Sequence, residues 1–242
     1  MSTRTGVSTR HLSRVETGRA RPSRDLLLFL AAELEIPKRA TNDLLLAAGF
    51  APVYSHLALD DDAMARVRAV VRLMLDGNDP NPTSVIDTRW NLIDANAAAF
   101  WLTSGVDPEL LVPPINVARL SLHPEGLAPR VANLDAYAAH LLHSMRHALA
   151  VTHDPQLADL IEELDGYAPG AARTVDLTPD VVLPLRIAID GQDLSFMSTV
   201  TTFGTARDVT LSELSIETFY PADQHTTGVL ASRPWLLTAA QT

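Results

Sequence analysis

Cysteine is absent from the 242 residues, which excludes disulfides and thiol catalysis. Its absence says little about compartment, because cytosolic proteins do without disulfides. No apolar run approaches the roughly 18 residues that a membrane span requires. The densest stretch, Leu26 to Leu34, is interrupted by Glu33. Nothing at the start reads as a secretory leader, since Met1 to Arg24 is polar and basic. Motifs that carry a mechanism are missing too: there is no Gly-x-Ser-x-Gly elbow, no phosphate-binding glycine loop and no His-Glu-x-x-His. The expectation is a cytoplasmic protein that is not an enzyme, uses no cofactor and does not enter a membrane.

What is present fits a globular chain with a sizeable core, at 47% apolar and 20% charged residues. The length suits one large domain, or a small one followed by a medium one. Charge is distributed unevenly. Residues 1–40 hold eight basic side chains against four acidic ones, a balance of +4, so the remainder carries −14 of the net −10. A basic module ahead of an acidic body is expected where the first part meets phosphate; a basic arm without a partner is the plainer alternative.

Local signals in the first fifty residues are helical. Ser8 is placed to cap a helix that ends near Thr17-Gly18. Ser23 caps a second, with Leu26, Leu27, Leu30, Ala31 and Leu34 on its buried side. Pro37 separates it from a third, Lys38 to Ala48. The run Gly6-Val7-Ser8 and then Ser13-x-x-Glu16-x-Gly18-x-x-x-Pro22 resembles the recognition helix and following loop of Xre-type, lambda-repressor-like helix-turn-helix proteins. The resemblance implies that Ser8, Thr9, Arg10 and His11 face base edges in the major groove, while Arg14, Arg19 and Arg21 hold phosphates. That fold has two helices before this point, and only Met1 to Thr5 precede Gly6 here. Two readings follow: a start upstream of Met1 supplies the missing helices and DNA is a partner, or the chain is a ligand-binding or protein-interaction module that has lost DNA binding by truncation.

The rest of the chain divides into further segments. Asp60-Asp61-Asp62 caps a helix from Ala63 to Leu75, and residues 76–82 break regular structure. Ser84 to Asp87 and Trp90 to Asp94 read as a hairpin, followed by a helix from Ala95 to Leu102. Helices are expected at Asn116–Leu122, Asn133–Ala150 and Pro155–Leu164. After Gly170 the period becomes two: Val181 to Ile189, a turn at Asp190-Gly191, Gln192 to Phe203, then Glu213 to Phe219. The text Asp87-x-x-Trp90-x-Leu92-x-x-Ala95-Asn96 resembles the opening of a PAS-like domain. Ser198 to Thr205, Asp208 to Leu211 and Ile216 to Asp223 resemble the C-terminal part of the MmyB-like bacterial transcription regulators, in which an Xre-type helix-turn-helix precedes a PAS-like ligand-binding domain.

The expected fold class is therefore α+β: a partial all-α helix-turn-helix over 1–50, a connecting helix and linker over 51–80, a PAS-like five-stranded antiparallel sheet with helices on one face over 81–225, and a tail over 226–242. His140, His143 and His147 share one helix face near enough to converge on a metal, but no carboxylate or cysteine pattern joins them, and a solvated face is the simpler reading. A pocket between sheet and helices is the expected site for a small apolar ligand such as an acyl chain. Its expected lining is Ile86, Leu92, Phe100, Trp101, Leu141, Met145, Leu185, Ile187, Phe196 and Met197, with His140 or Arg186 orienting a carboxylate at the mouth. The same apolar residues also suit an ordinary core. A homodimer is expected, because operators are commonly two-fold symmetric.

Overall fold

The computed structural model of the protein describes residues 8–171 and 182–233. These fall into two compact units, one within 1–58 together with 204–212, the other within 59–203 together with 213–242.

The first unit holds three helices, α1 (Thr9–Glu16), α2 (Arg24–Glu33) and α3 (Lys38–Ala47). Ser8 and Ser23 cap α1 and α2, accepting hydrogen bonds from the amides of His11 and Leu26, both at 3.2 Å. After α1, Gly18 takes a positive φ of 69°, a conformation glycine adopts without a side-chain clash. Leu12, Leu27, Ala31 and Leu45 form the buried interior. Behind α3 the chain is pinned by one buried side chain: Asn42 accepts from the amides of Val53 and Tyr54 and donates to the carbonyl of Tyr54. The segment 204–212, between two strands in the sequence, folds back onto this unit. There the carboxylate of Asp208 accepts from the Leu57 amide at 3.1 Å, and the Thr210 hydroxyl donates to the Leu57 carbonyl at 2.6 Å.

The second unit is built on an antiparallel five-stranded sheet in the order β2-β1-β5-β4-β3. Its strands are β1 (Thr83–Ile86), β2 (Leu92–Ala95), β3 (Leu185–Ile189), β4 (Gln192–Thr202) and β5 (Ser215–Pro221). This is the expected PAS-like α+β architecture. The β3–β4 hairpin closes through Asp190 and Gly191, with φ of 51° and 73°, the backbone of a tight hairpin turn whose twist matches its strands. On one face lie α5 (Ala97–Leu102), α6 (Val117–Leu122), α7 (Leu134–Thr152) and α8 (Pro155–Tyr167). On the other, α4 (Ala65–Gly77) packs against β1 and buries Val71 and Leu75 near Val85. A helical turn, α9 (Val209–Ser212), belongs to the first unit, and α10 (Gln224–Ala231) follows β5 and buries Leu230.

Two apolar cores result. One joins the sheet to α5 and α10 through Leu102, Leu185, Ile187, Leu194, Phe196 and Leu230. The second lies among α6, α7 and α8 through Leu122, Leu142, Met145, Leu157 and Leu164. Each fully buried side chain of this size contributes roughly 1.5–3 kcal/mol over leaving it in water. Arg119 fastens α6 to α8 through a two-bonded ion pair with Glu163 at 2.5 and 2.6 Å.

The Asp87-to-Asn96 text is a structural bracket. Asp87 accepts from the amides of Arg89 and Asn91 at 2.8 and 2.9 Å and closes the β1–β2 turn. Asn96, buried, accepts from the amides of Thr83 and Ala99 and donates to Asp79 and the Asn81 carbonyl. One side chain thus caps α5 and ties it to the loop before β1.

Candidate functional site

Strand register decides which side chains face the helices. Ser84 pairs with Ala95 and Glu217, and Ile86 pairs with Leu92 and Ser215. Val200 pairs with Glu217, Ser198 with Phe219, and Leu185 with Phe196. Paired residues point to the same side of a sheet, so this alternating set forms one continuous surface. Between that surface and the helices is a cavity of about 260 Å³. Its floor is the set just named, apart from Phe196; its walls include Phe100 and Leu102 of α5, Val117, Ala118, Leu120 and Ser121 of α6, and Tyr137, His140, Leu141 and Ser144 of α7.

Of the residues expected at the site, Ile86, Leu92, Phe100, His140, Leu141, Leu185 and Ile187 line this one cavity. Five others lie elsewhere. Trp101 is turned away: its indole Nε1 donates to Asp190 at 2.8 Å, and the Arg233 guanidinium stands 3.9 Å over its ring. Met145 is fully buried in the core between α7 and α8. Phe196 is fully buried in the sheet core, edge-on to Phe219 at 6.4 Å. Met197 alternates onto the opposite face, opposite Tyr220. Arg186 is exposed on β3, and its amide donates to Asn133 at 3.0 Å. Position on an apolar strand or helix does not separate a wall of the cavity from the packing behind it.

The cavity also carries polar groups that sequence reasoning missed. Glu217 of β5 has its carboxyl in the interior, where desolvation pushes its pKa up to about 7 against the pull of a hydrogen bond from Ser198. The residue as a whole is half-buried and lines the cavity. Tyr137 of α7 is hydrogen-bonded to Ser121, and desolvation, reinforced by the Glu217 charge, holds its phenol protonated. Tyr137, His140, Leu141 and Ser144 are spaced i, i+3, i+4 and i+7 on α7, the signature of one helix face; this pattern was available in the sequence. Phe100 and Val200 line the cavity while 50% and 62% exposed, so it opens to solvent beside them. His140 is exposed, at the outer part of the lining.

No group of three or more His, Asp or Glu side chains able to hold a metal occurs among the described residues, and His143 and His147 are exposed. Among the described residues no helix is long and apolar enough to cross a membrane. In the first unit, Ser8, Thr9, Arg10, His11, Arg14, Arg19 and Arg21 are all exposed, on α1 and its flanking turns.

A comparison with curated proteins returns no match. Residues 67–232, by contrast, match the family model of the MmyB-like transcription regulator ligand binding domain, a span that includes every strand of the sheet and the whole cavity lining. With well over half its length in that match, the chain belongs to the MmyB-like transcription regulators.

Proposed function

We propose that the protein is a cytoplasmic transcription regulator that binds DNA through its first unit and a small apolar ligand, of acyl-chain size, in the cavity of its second. The observation that carries this reading is the cavity itself: an interior space, lined mainly by aliphatic and aromatic side chains, inside the part of the chain that matches a ligand-binding domain. Burying each methylene there contributes roughly 0.8 kcal/mol. A ligand of this kind acts by binding one of two arrangements of the domains, or of a homodimer, more tightly than the other.

The exposed cluster on α1 supports the DNA part of the reading. Ser8, Thr9, Arg10 and His11 cap and open α1, and Arg14, Arg19 and Arg21 are exposed on it and the turn that follows, which leaves all seven free to take the base-edge and phosphate roles of a recognition helix. Titrating the chain against DNA from its own promoter region at two salt concentrations tests this. Binding that weakens with salt, and an Arg14→Ala variant that lowers the salt slope by about one, are expected. Absence of binding even at low salt removes the DNA role and leaves a ligand-binding module.

A further inference from the structure

Resting on the reading of the cavity as a ligand site, we infer that the β4–β5 hairpin is the element that transmits its occupancy to the first unit. One ribbon carries both ends of the connection. At its base, Ser198 and Val200 of β4 and Ser215 and Glu217 of β5 line the cavity. The ladder closes with Thr202 opposite Ser215. Its tip, residues 204–212, belongs to the compact unit that holds α1, α2 and α3. Only Thr201 to Phe203 separate Val200 from that tip, and only Glu213 and Leu214 separate the tip from Ser215.

The tip is fixed by polar groups whose partners lie within the first unit. Buried Asp208 divides its carboxylate between two amides, that of Leu211 at 3.2 Å, at the start of α9, and that of Leu57 at 3.1 Å. The Val209 amide donates to the Ser55 carbonyl at 2.7 Å, and the Thr210 hydroxyl to the Leu57 carbonyl at 2.6 Å. Just before Ser55, the amides of Val53 and Tyr54 donate to Asn42 Oδ1 at 3.0 and 3.1 Å. Asn42 belongs to α3, against which α9 also packs. A contiguous set of bonds thus runs from the tip into the helical unit.

The base of the hairpin is the part that a ligand can bias. β3 pairs with β4 only as far as Phe196, so among the described residues Met197 to Thr202 have β5 on one side and no strand on the other. Val200 stands at the opening of the cavity and is largely exposed. A strand held along one edge opens locally at low free energy. A molecule in the cavity packs against Ser198 and Val200 and adds contacts to this half of β4. It therefore binds the ordered hairpin more tightly than the open one. Coupling is reciprocal, so an intact tip in turn favours the bound molecule.

The test follows hydrogen exchange at the amides of Val53 and Tyr54, which lie outside the cavity lining, in the full chain with and without decanol or decanoate. Calorimetry first establishes that a probe binds. A saturating probe is expected to slow exchange at both amides about fivefold in the wild type, at the low end of typical coupling. In Asp208→Ala the slowing is expected to vanish. The probe should also bind that variant more weakly, by no more than the same factor, although Asp208 does not line the cavity. A merely structural role for Asp208 would raise exchange equally with and without probe and leave the difference intact. Unchanged exchange in a wild type that binds the probe, or an equal slowing in Asp208→Ala, overturns the inference. Should Asp208→Ala not fold, Thr210→Val removes the hydroxyl bond to Leu57 alone; it must show a reduced slowing, and a full one overturns the inference. If neither probe binds the wild type, the apolar-ligand reading fails first and takes the coupling with it.

Discussion

Tyr137 and Glu217 share one cavity, one projecting from α7 and the other from β5, and the carboxylate's charge adds to burial in keeping the phenol protonated. This relationship places two titratable side chains inside a mainly apolar space. Burying polar groups in such a space lowers stability, a cost that a ligand site explains better than an ordinary core does.

Stability should therefore depend on pH through Glu217. Its carboxyl titrates at 4.5 when solvated and at about 7 in the folded protein. Between these values the unfolded chain gives up the proton first, so rising pH favours unfolding; the penalty is absent below 4.5 and complete above about 7. Glu217→Gln should be more stable than the wild type at pH 8, by about 2 kcal/mol once water in the cavity is allowed for, with the advantage gone near pH 4.5. Urea denaturation at the two pH values checks this; an advantage of equal size at both would contradict it.

Trp101 should matter for stability but not for the ligand. Its indole N–H is committed to Asp190 and its ring face to Arg233, both outside the cavity. Trp101→Phe is expected to cost on the order of 1 kcal/mol for the lost hydrogen bond and cation contact, with probe affinity unchanged. Thermal denaturation alongside calorimetry reads both, and a marked loss of decanol affinity would place Trp101 back at the site.

Neighbouring leucines on α7 should behave in opposite ways. Leu141 lines the cavity, whereas Leu142 is fully buried in the second core. Leu141→Trp fills the cavity and is expected to abolish decanol binding at a stability cost within about 1–3 kcal/mol. Leu142→Ala leaves a void and should cost about 2–5 kcal/mol while any protein that remains folded binds decanol normally. Chemical denaturation and calorimetry on the pair distinguish wall from core.

Much of the fold was legible because its signals are local. Serine caps, a glycine stop after α1, the Asp190-Gly191 turn and two-residue alternation in β3 each act within a few residues. The cavity was half legible for a physical reason. In β5, Ile216 and Thr218 are buried on one side while Glu217 and Phe219 face the cavity on the other, so alternation alone does not say which side holds the site. A glutamate between two buried residues reads as the solvent-facing member of its strand. Likewise Phe196 and Leu185 are paired on one face, yet only Leu185 reaches the cavity. The return of 204–212 to the first unit depends on Asp208 finding the Leu57 amide, a contact across about 150 residues that no local pattern announces.

The claim that the second unit holds an apolar molecule is tested most directly by native mass spectrometry of the full chain as purified, beside Leu141→Trp. The wild type should carry a non-covalent adduct of small-molecule mass that organic extraction removes, and the filled variant should lack it. A wild type without any adduct, or one shared equally by Leu141→Trp, would contradict the account.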